Sequence, residues 1–114
     1  MKIINYAKQY IDKDDIRYVE KALRSEKITQ GKFVNSFEKN LSKYMGSKYC
    51  ASVSNGSSAL FLSLKVLKLK KKDAVITTPI TFASTVTSIL MNNYTVDFCD
   101  INLKSYTLDL NKLE

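Results

Sequence analysis

Apolar positions follow two rhythms along the chain. Over residues 12–24, Ile16, Val19, Ala22 and Leu23 fall on one face of a 3.6-residue period, and Asp12 stands where an N-cap belongs, which predicts a helix behind a short extended arm through Tyr6 and Tyr10. The polar stretch SEKITQGK, residues 25–32, breaks that period, contains Gly31 and reads as a loop. Phe33, Phe37, Leu41, Tyr44 and Met45 then recur at three- and four-residue steps, a second amphipathic helix with Gly46 as its C-cap. From residue 49 the rhythm shortens. Apolar runs at 49–54, 73–77 and 94–98 read as strands. Between them lie a leucine- and alanine-rich helix over 57–69 and a further helix opening at Pro79, with Phe82, Ala83, Val86, Ile89 and Leu90 on one side. Strands and helices of this length in alternation predict βαβ units and a parallel sheet, an α/β fold.

The last fifteen residues carry Leu103, Leu108, Leu110 and Leu113 and read as the start of one more helix. Three parallel strands with so few helices leave apolar faces and a sheet edge uncovered, so the expected domain is incomplete.

Composition narrows the chemistry. The 114 residues are 45% hydrophobic and 25% charged, ordinary for a folded globular segment. A formal charge of +7 raises nucleic acid as a partner, but it comes mainly from scattered lysines. The one cluster, Lys68, Lys70, Lys71 and Lys72, sits beside Asp73 without arginine forks or stacking aromatics and reads as a solvated loop; no nucleic-acid partner is expected. Histidine is absent, which removes the commonest general base and metal ligand, and no metal site is expected. Cys50 and Cys99 have no paired spacing and read as reduced core residues. No run approaches the ~18 apolar residues of a membrane span, and the first residues lack the apolar centre of a signal peptide, so a cytoplasmic protein without a membrane partner is expected.

Two motifs carry the candidate chemistry. NGSSAL, residues 55–60, follows a strand and opens a helix: Gly56 permits a tight turn, Ser57 and Ser58 offer hydroxyls, and the free amides of the first turn suit a phosphate. A serine-rich cap without any ligand has the same sequence. ITTPITFAST, residues 76–85, repeats the arrangement, and in a parallel sheet both helix starts lie at one edge, where ligands of open α/β sheets bind. Phe82 can lie over a planar ring there, or pack in the core with the rest of its helix face.

The order QGK, FEKNLSKYMG, NGSSAL, TTPITFAST and VDFCDI, at these separations, resembles the DegT/DnrJ/EryC1/StrS family over essentially the whole chain. That resemblance implies pyridoxal 5'-phosphate (PLP) as cofactor and a three-layer α/β/α fold of the type I aminotransferases. Residues 1–32 would form an N-terminal arm, helix and substrate-side loop. Residues 33–114 would form part of the large cofactor-binding domain, truncated at its C-terminus. Matched by position, Gly56 and Ser57 fall on the family's cofactor-phosphate turn and Phe82 on the aromatic residue stacked on the pyridine ring. Tyr6, Lys27, Ile28 and Thr29 fall on the region bordering the sugar nucleotide. The arm ending at Tyr6, KITQGK and ITTPITF most resemble members that use glutamate to aminate a UDP-linked 4-keto sugar of the pseudaminic acid type.

Amino transfer needs a lysine for the Schiff base and an acid to hold the pyridine nitrogen protonated. In the family both follow later in sequence, so both are expected beyond residue 114, no catalytic residue is assigned within the chain, and the isolated segment is expected to be inactive. A complete enzyme is expected to be a homodimer. Two alternatives stay open: a sugar aminotransferase of the family with another substrate, and a non-catalytic α/β piece with a structural or interaction role.

Overall fold

A computed structural model describes residues 5, 7–70 and 72–113. It divides into two units, Met1–Ser52 and Val53–Glu114.

The N-terminal unit holds two helices, α1 (Lys13–Leu23) and α2 (Lys32–Met45). Asp12 caps α1 as its sequence position predicts. Its carboxylate accepts from the amides of Asp14 and Asp15 at 2.8 and 3.0 Å, and Asp15 accepts from the Asp12 amide at 3.0 Å, a reciprocal capping box built from two aspartates. At the far end of α2, Gly46 takes the left-handed conformation (φ 65°) and its amide reaches back to the last-turn carbonyls, the expected glycine C-cap. The 25–32 segment is a loop up to its last residue, Lys32, which opens α2, and Gly31 within it is buried.

The strand expected over 49–54 does not form. No segment among the described residues pairs with it, and extended backbone without a ladder partner is not a strand. What holds it instead is Glu38 of α2, whose Oε1 accepts from the Ser52 amide at 2.7 Å and the Ser52 hydroxyl at 2.8 Å. Cys50, expected in the core, is only half-buried.

The C-terminal unit runs α3 (Gly56–Leu67), β1 (Ala74–Thr77), α4 (Ala83–Met91) and β2 (Thr95–Phe98). The strands are parallel, with Ala74 opposite Thr95 and Thr77 opposite Phe98, as the alternating pattern predicts. α4 is the crossover between them, so β1, α4 and β2 make one βαβ unit, and α3 packs on α4. α4 opens four residues later than Pro79: Thr78 precedes the proline and is pushed out of helical geometry, and the chain turns before Phe82 becomes the N-cap. The core gathers at the end of α4 and beyond β2. Ile89 is 2% exposed, and Cys99 and Ile101 are buried as well. Buried Asn92 joins α3 to α4, its Nδ2 donating to the Phe61 carbonyl at 3.0 Å and the Ser88 carbonyl at 2.8 Å. Past β2, Ile101 bridges antiparallel to Leu108, and the expected final helix is a single 3₁₀ turn, Leu110–Lys112. No helix among the described residues is long and apolar enough to cross a membrane.

Candidate functional site

The start of α3 is set by Asn55, which the motif reading passed over in favour of the serines. Its Oδ1 accepts from the Ser58 amide at 2.8 Å, and its carbonyl accepts from the Ala59 amide at 3.2 Å. The amides of Gly56 and Ser57 are thereby left as first-turn donors that the helix itself does not use. An asparagine three residues ahead of a serine amide, at the head of an apolar run, is the signal that identifies this cap.

Gly56 does not make the tight turn expected of it. It is the first residue of α3, and a Cβ built on it meets nothing within 4 Å, so neither dihedral nor packing demands glycine. What its missing side chain provides is open space beside two unclaimed amides. No acidic residue stands in the first turn of α3, so nothing opposes the positive end of the helix dipole there.

Phe82 is not in the core either. As N-cap of α4, with φ −67° and ψ 138°, it stands just ahead of the helix face on which its periodicity places it, and it is 77% exposed. Gly56, Ser57 and Phe82 line one open concavity of about 540 Å³, together with Leu60, Ser84 and Thr85. The starts of two helices therefore border one hollow: unclaimed amides on one side, an exposed aromatic ring on the other. Such a surface suits a ligand with an anionic group and a planar ring. Ser84 and Thr85 were not legible as lining residues, because their sequence signal is only that of a helix start.

Lys65 lies in the last turn of α3 and Lys68 is its C-cap, so helix rise alone puts Lys65 about 14 Å along the axis from Gly56. Neither reaches the α3 start. Lys68, Lys70 and Lys72 are exposed, and Lys71 lies outside the described residues. In the N-terminal unit, Lys27, Ile28 and Thr29 line an open hollow of about 580 Å³ with Glu26 and Gln30. Tyr6 lies outside the described residues.

Fold and hollow together define an α/β segment in which the starts of α3 and α4 border one open space. The chain belongs to the DegT/DnrJ/EryC1/StrS aminotransferase family, whose sequence profile matches residues 9–114. It is 41% identical over 112 residues to the UDP-4-amino-4,6-dideoxy-N-acetyl-beta-L-altrosamine transaminase of Campylobacter jejuni, covering 98% of this chain and 29% of that enzyme. Among solved structures, the Escherichia coli GDP-4-keto-6-deoxy-D-mannose-3-dehydratase with bound hydrated PLP superposes with a TM-score of 0.87 at 29% identity, over 98% of this chain and 31% of that one. The Bacillus subtilis protein NtdA, with bound cofactor PMP, gives 0.78 at 27% identity, over 90% and 25%. The chain thus carries part of the fold of PLP-dependent sugar enzymes and spans less than a third of each relative's length.

Proposed function

We propose that this chain supplies the cofactor-phosphate side of a PLP-dependent sugar-nucleotide aminotransferase, which moves an amino group from glutamate to a UDP-linked 4-keto sugar of the pseudaminic acid type. The observation that carries the reading is the shared hollow: the free amides of Gly56 and Ser57 and the exposed ring of Phe82 border one space. In this reading the two amides, the Ser57 hydroxyl and the α3 dipole hold the phosphate, and Phe82 covers one face of the ring. When bound, PLP supplies the electron sink that amino transfer requires. Tyr6, Lys27, Ile28 and Thr29 are assigned to the sugar nucleotide on the strength of the family resemblance. Residues 1–32 are the arm, helix and substrate-side loop, and 33–114 part of the cofactor domain.

The Schiff-base lysine and the acid facing the pyridine nitrogen are placed outside residues 1–114, the working enzyme is taken to be a homodimer, and residues 1–114 alone are taken to be inactive. A second reading is favoured by matches to a 3-dehydratase, which resembles this segment as a transaminase does. The segment then sets how the cofactor is held, and the choice between amination and dehydration is made elsewhere.

Cofactor titration of the complete gene product, followed by the visible absorbance of PLP, tests the assignment. Ser57→Ala is expected to weaken PLP about tenfold or more by removing a hydroxyl bonded to a charged phosphate. Phe82→Ala is expected to weaken it roughly two- to tenfold with the melting temperature unchanged, because the ring is exposed. Parent-like PLP affinity in both variants would sink the reading. Intact mass of the protein from its source cells then shows whether the chain that binds PLP continues past Glu114.

A further inference from the structure

Phe82 is an unusual N-cap. Its side chain has no oxygen to accept from the first turn, so α4 begins without a side-chain cap, and a ring 77% exposed has little packing to fix its direction. The aim of the ring must come from the backbone on either side of it.

Ahead of Phe82 the Thr78 hydroxyl donates to the Ile80 carbonyl at 3.2 Å, and Thr85 makes the two bonds that flank Phe82 itself. The Thr85 amide donates to the Phe82 carbonyl at 2.9 Å, and its Oγ1 lies 3.0 Å from the Oγ1 of Thr81, either hydroxyl serving as donor. Phe82 is therefore bracketed: the backbone bond closes the turn after it and the hydroxyl pair closes the loop from before it. Helix starts often carry an apolar staple between the residue preceding the cap and one in the first turn. Here a polar pair occupies almost the same positions. Thr85 lines the hollow with Gly56, Ser57 and Phe82, whereas Thr81 is not among the residues that line it.

We propose that Thr85 is a positioning residue: through its hydroxyl pair with Thr81 it fixes the backbone at Phe82 and so holds the ring over the hollow in a direction that favours stacking on a planar cofactor. The inference rests on the assignment of Phe82 to the face of PLP, and it adds two hydroxyls that are not themselves required to touch the cofactor. Without the pair, the segment between Pro79 and Ala83 samples more conformations, and the ring must be ordered each time cofactor binds.

The test is a mutant cycle in the complete gene product, read by PLP titration, by the visible circular dichroism of bound PLP, and by the melting temperature of the cofactor-free protein. Thr81→Val and Thr85→Val keep side-chain shape and remove the hydroxyls. Each is expected to weaken PLP roughly two- to tenfold and to reduce the dichroism, with Thr85→Ser restoring both. In a Phe82→Ala background the valine substitutions are expected to have no further effect, since the ring they aim is gone. Thr81→Val is the decisive variant, because Thr81 does not line the hollow. If Phe82→Ala weakens PLP while Thr81→Val and Thr85→Val bind it like the parent, the positioning role is overturned and the stacking assignment survives. If Thr85→Val weakens PLP equally with and without Phe82, Thr85 contacts the cofactor directly and the positioning role is again overturned. If Phe82→Ala itself leaves PLP affinity unchanged, the stacking assignment falls and this inference with it. Should Thr85→Val lower the melting temperature of the cofactor-free protein, the comparison of Thr81→Val with Thr85→Ser decides the matter.

Discussion

Gly31 and Gly56 are both glycines at the start of a helix, and only Gly31 is required there by packing. At Gly31 a Cβ would sit 2.5 Å from the Lys27 carbonyl oxygen, a backbone atom that cannot swing aside, while its φ of −89° is open to any residue. Gly31→Ala is therefore expected to force the 25–31 loop open and to destabilise the protein by about 1–3 kcal/mol, seen as a lower urea midpoint. A parent-like midpoint would show that the loop shifts at no cost. Gly56→Ala should do the reverse. Nothing obstructs the added methyl, so the midpoint should hold or rise by up to about 1 kcal/mol from helix propensity, while PLP affinity is expected to fall because the methyl enters the space beside the amides proposed to bind the phosphate. Sequence alone reads Gly56 as a turn residue because a glycine before a helix looks the same whether it supplies dihedral freedom or empty space. Phe82 has the same ambiguity: periodicity places it on the apolar face of α4, and only the observed cap position turns it outward.

Elements defined by their own residues were legible in the sequence. The α1 cap is made within Asp12–Asp15 and the α2 stop at Gly46, and both stand where local pattern puts them. Of the elements defined by a partner, β1 and β2 form where the pattern puts them, while the strand expected over 49–54 does not. The 49–54 run has the composition of a strand, but a strand is a relation between two segments, and here the Ser52 amide bonds a carboxylate. The bond has a measurable signature in acid. Glu38 titrates below its ordinary value of 4.5 because it accepts first the backbone amide of Ser52 and then its hydroxyl. A carboxylate whose folded pKa is depressed adds stability that is complete above the unfolded value and is lost as pH falls through the folded one. The parent should therefore lose an increment of stability below about pH 4.5 that Glu38→Gln lacks, so their urea midpoints should converge on going from pH 6 to pH 3. A gap that stays constant over that range would show that the carboxylate charge contributes nothing to the clasp.

Among the described residues, few of the apolar side chains that the helices present are buried. Ile16, Val19 and Leu23 of α1 are exposed along one face, as are Leu62, Val66 and Leu67 on α3. The helical period of α1 predicts its apolar face, and the leucine-rich composition of α3 predicts only an apolar helix, but neither says what covers it. Residues 1–114 expressed by themselves are expected to bind a hydrophobic dye such as ANS strongly and to show no amino transfer. Absence of dye binding would show that the faces are covered without added chain. The pairing of β1 with β2 has one more consequence, and it concerns the order in which the protein is made. The two strands and their crossover helix occupy one unbroken run from Ala74 to Phe98, which a ribosome at roughly 5–20 residues per second completes within a few seconds. Every bond of that unit's ladder can form from chain already synthesised, and Phe82 lies inside the run. The perch of the aromatic ring can thus be assembled during translation, before the cofactor proposed to stack on it binds.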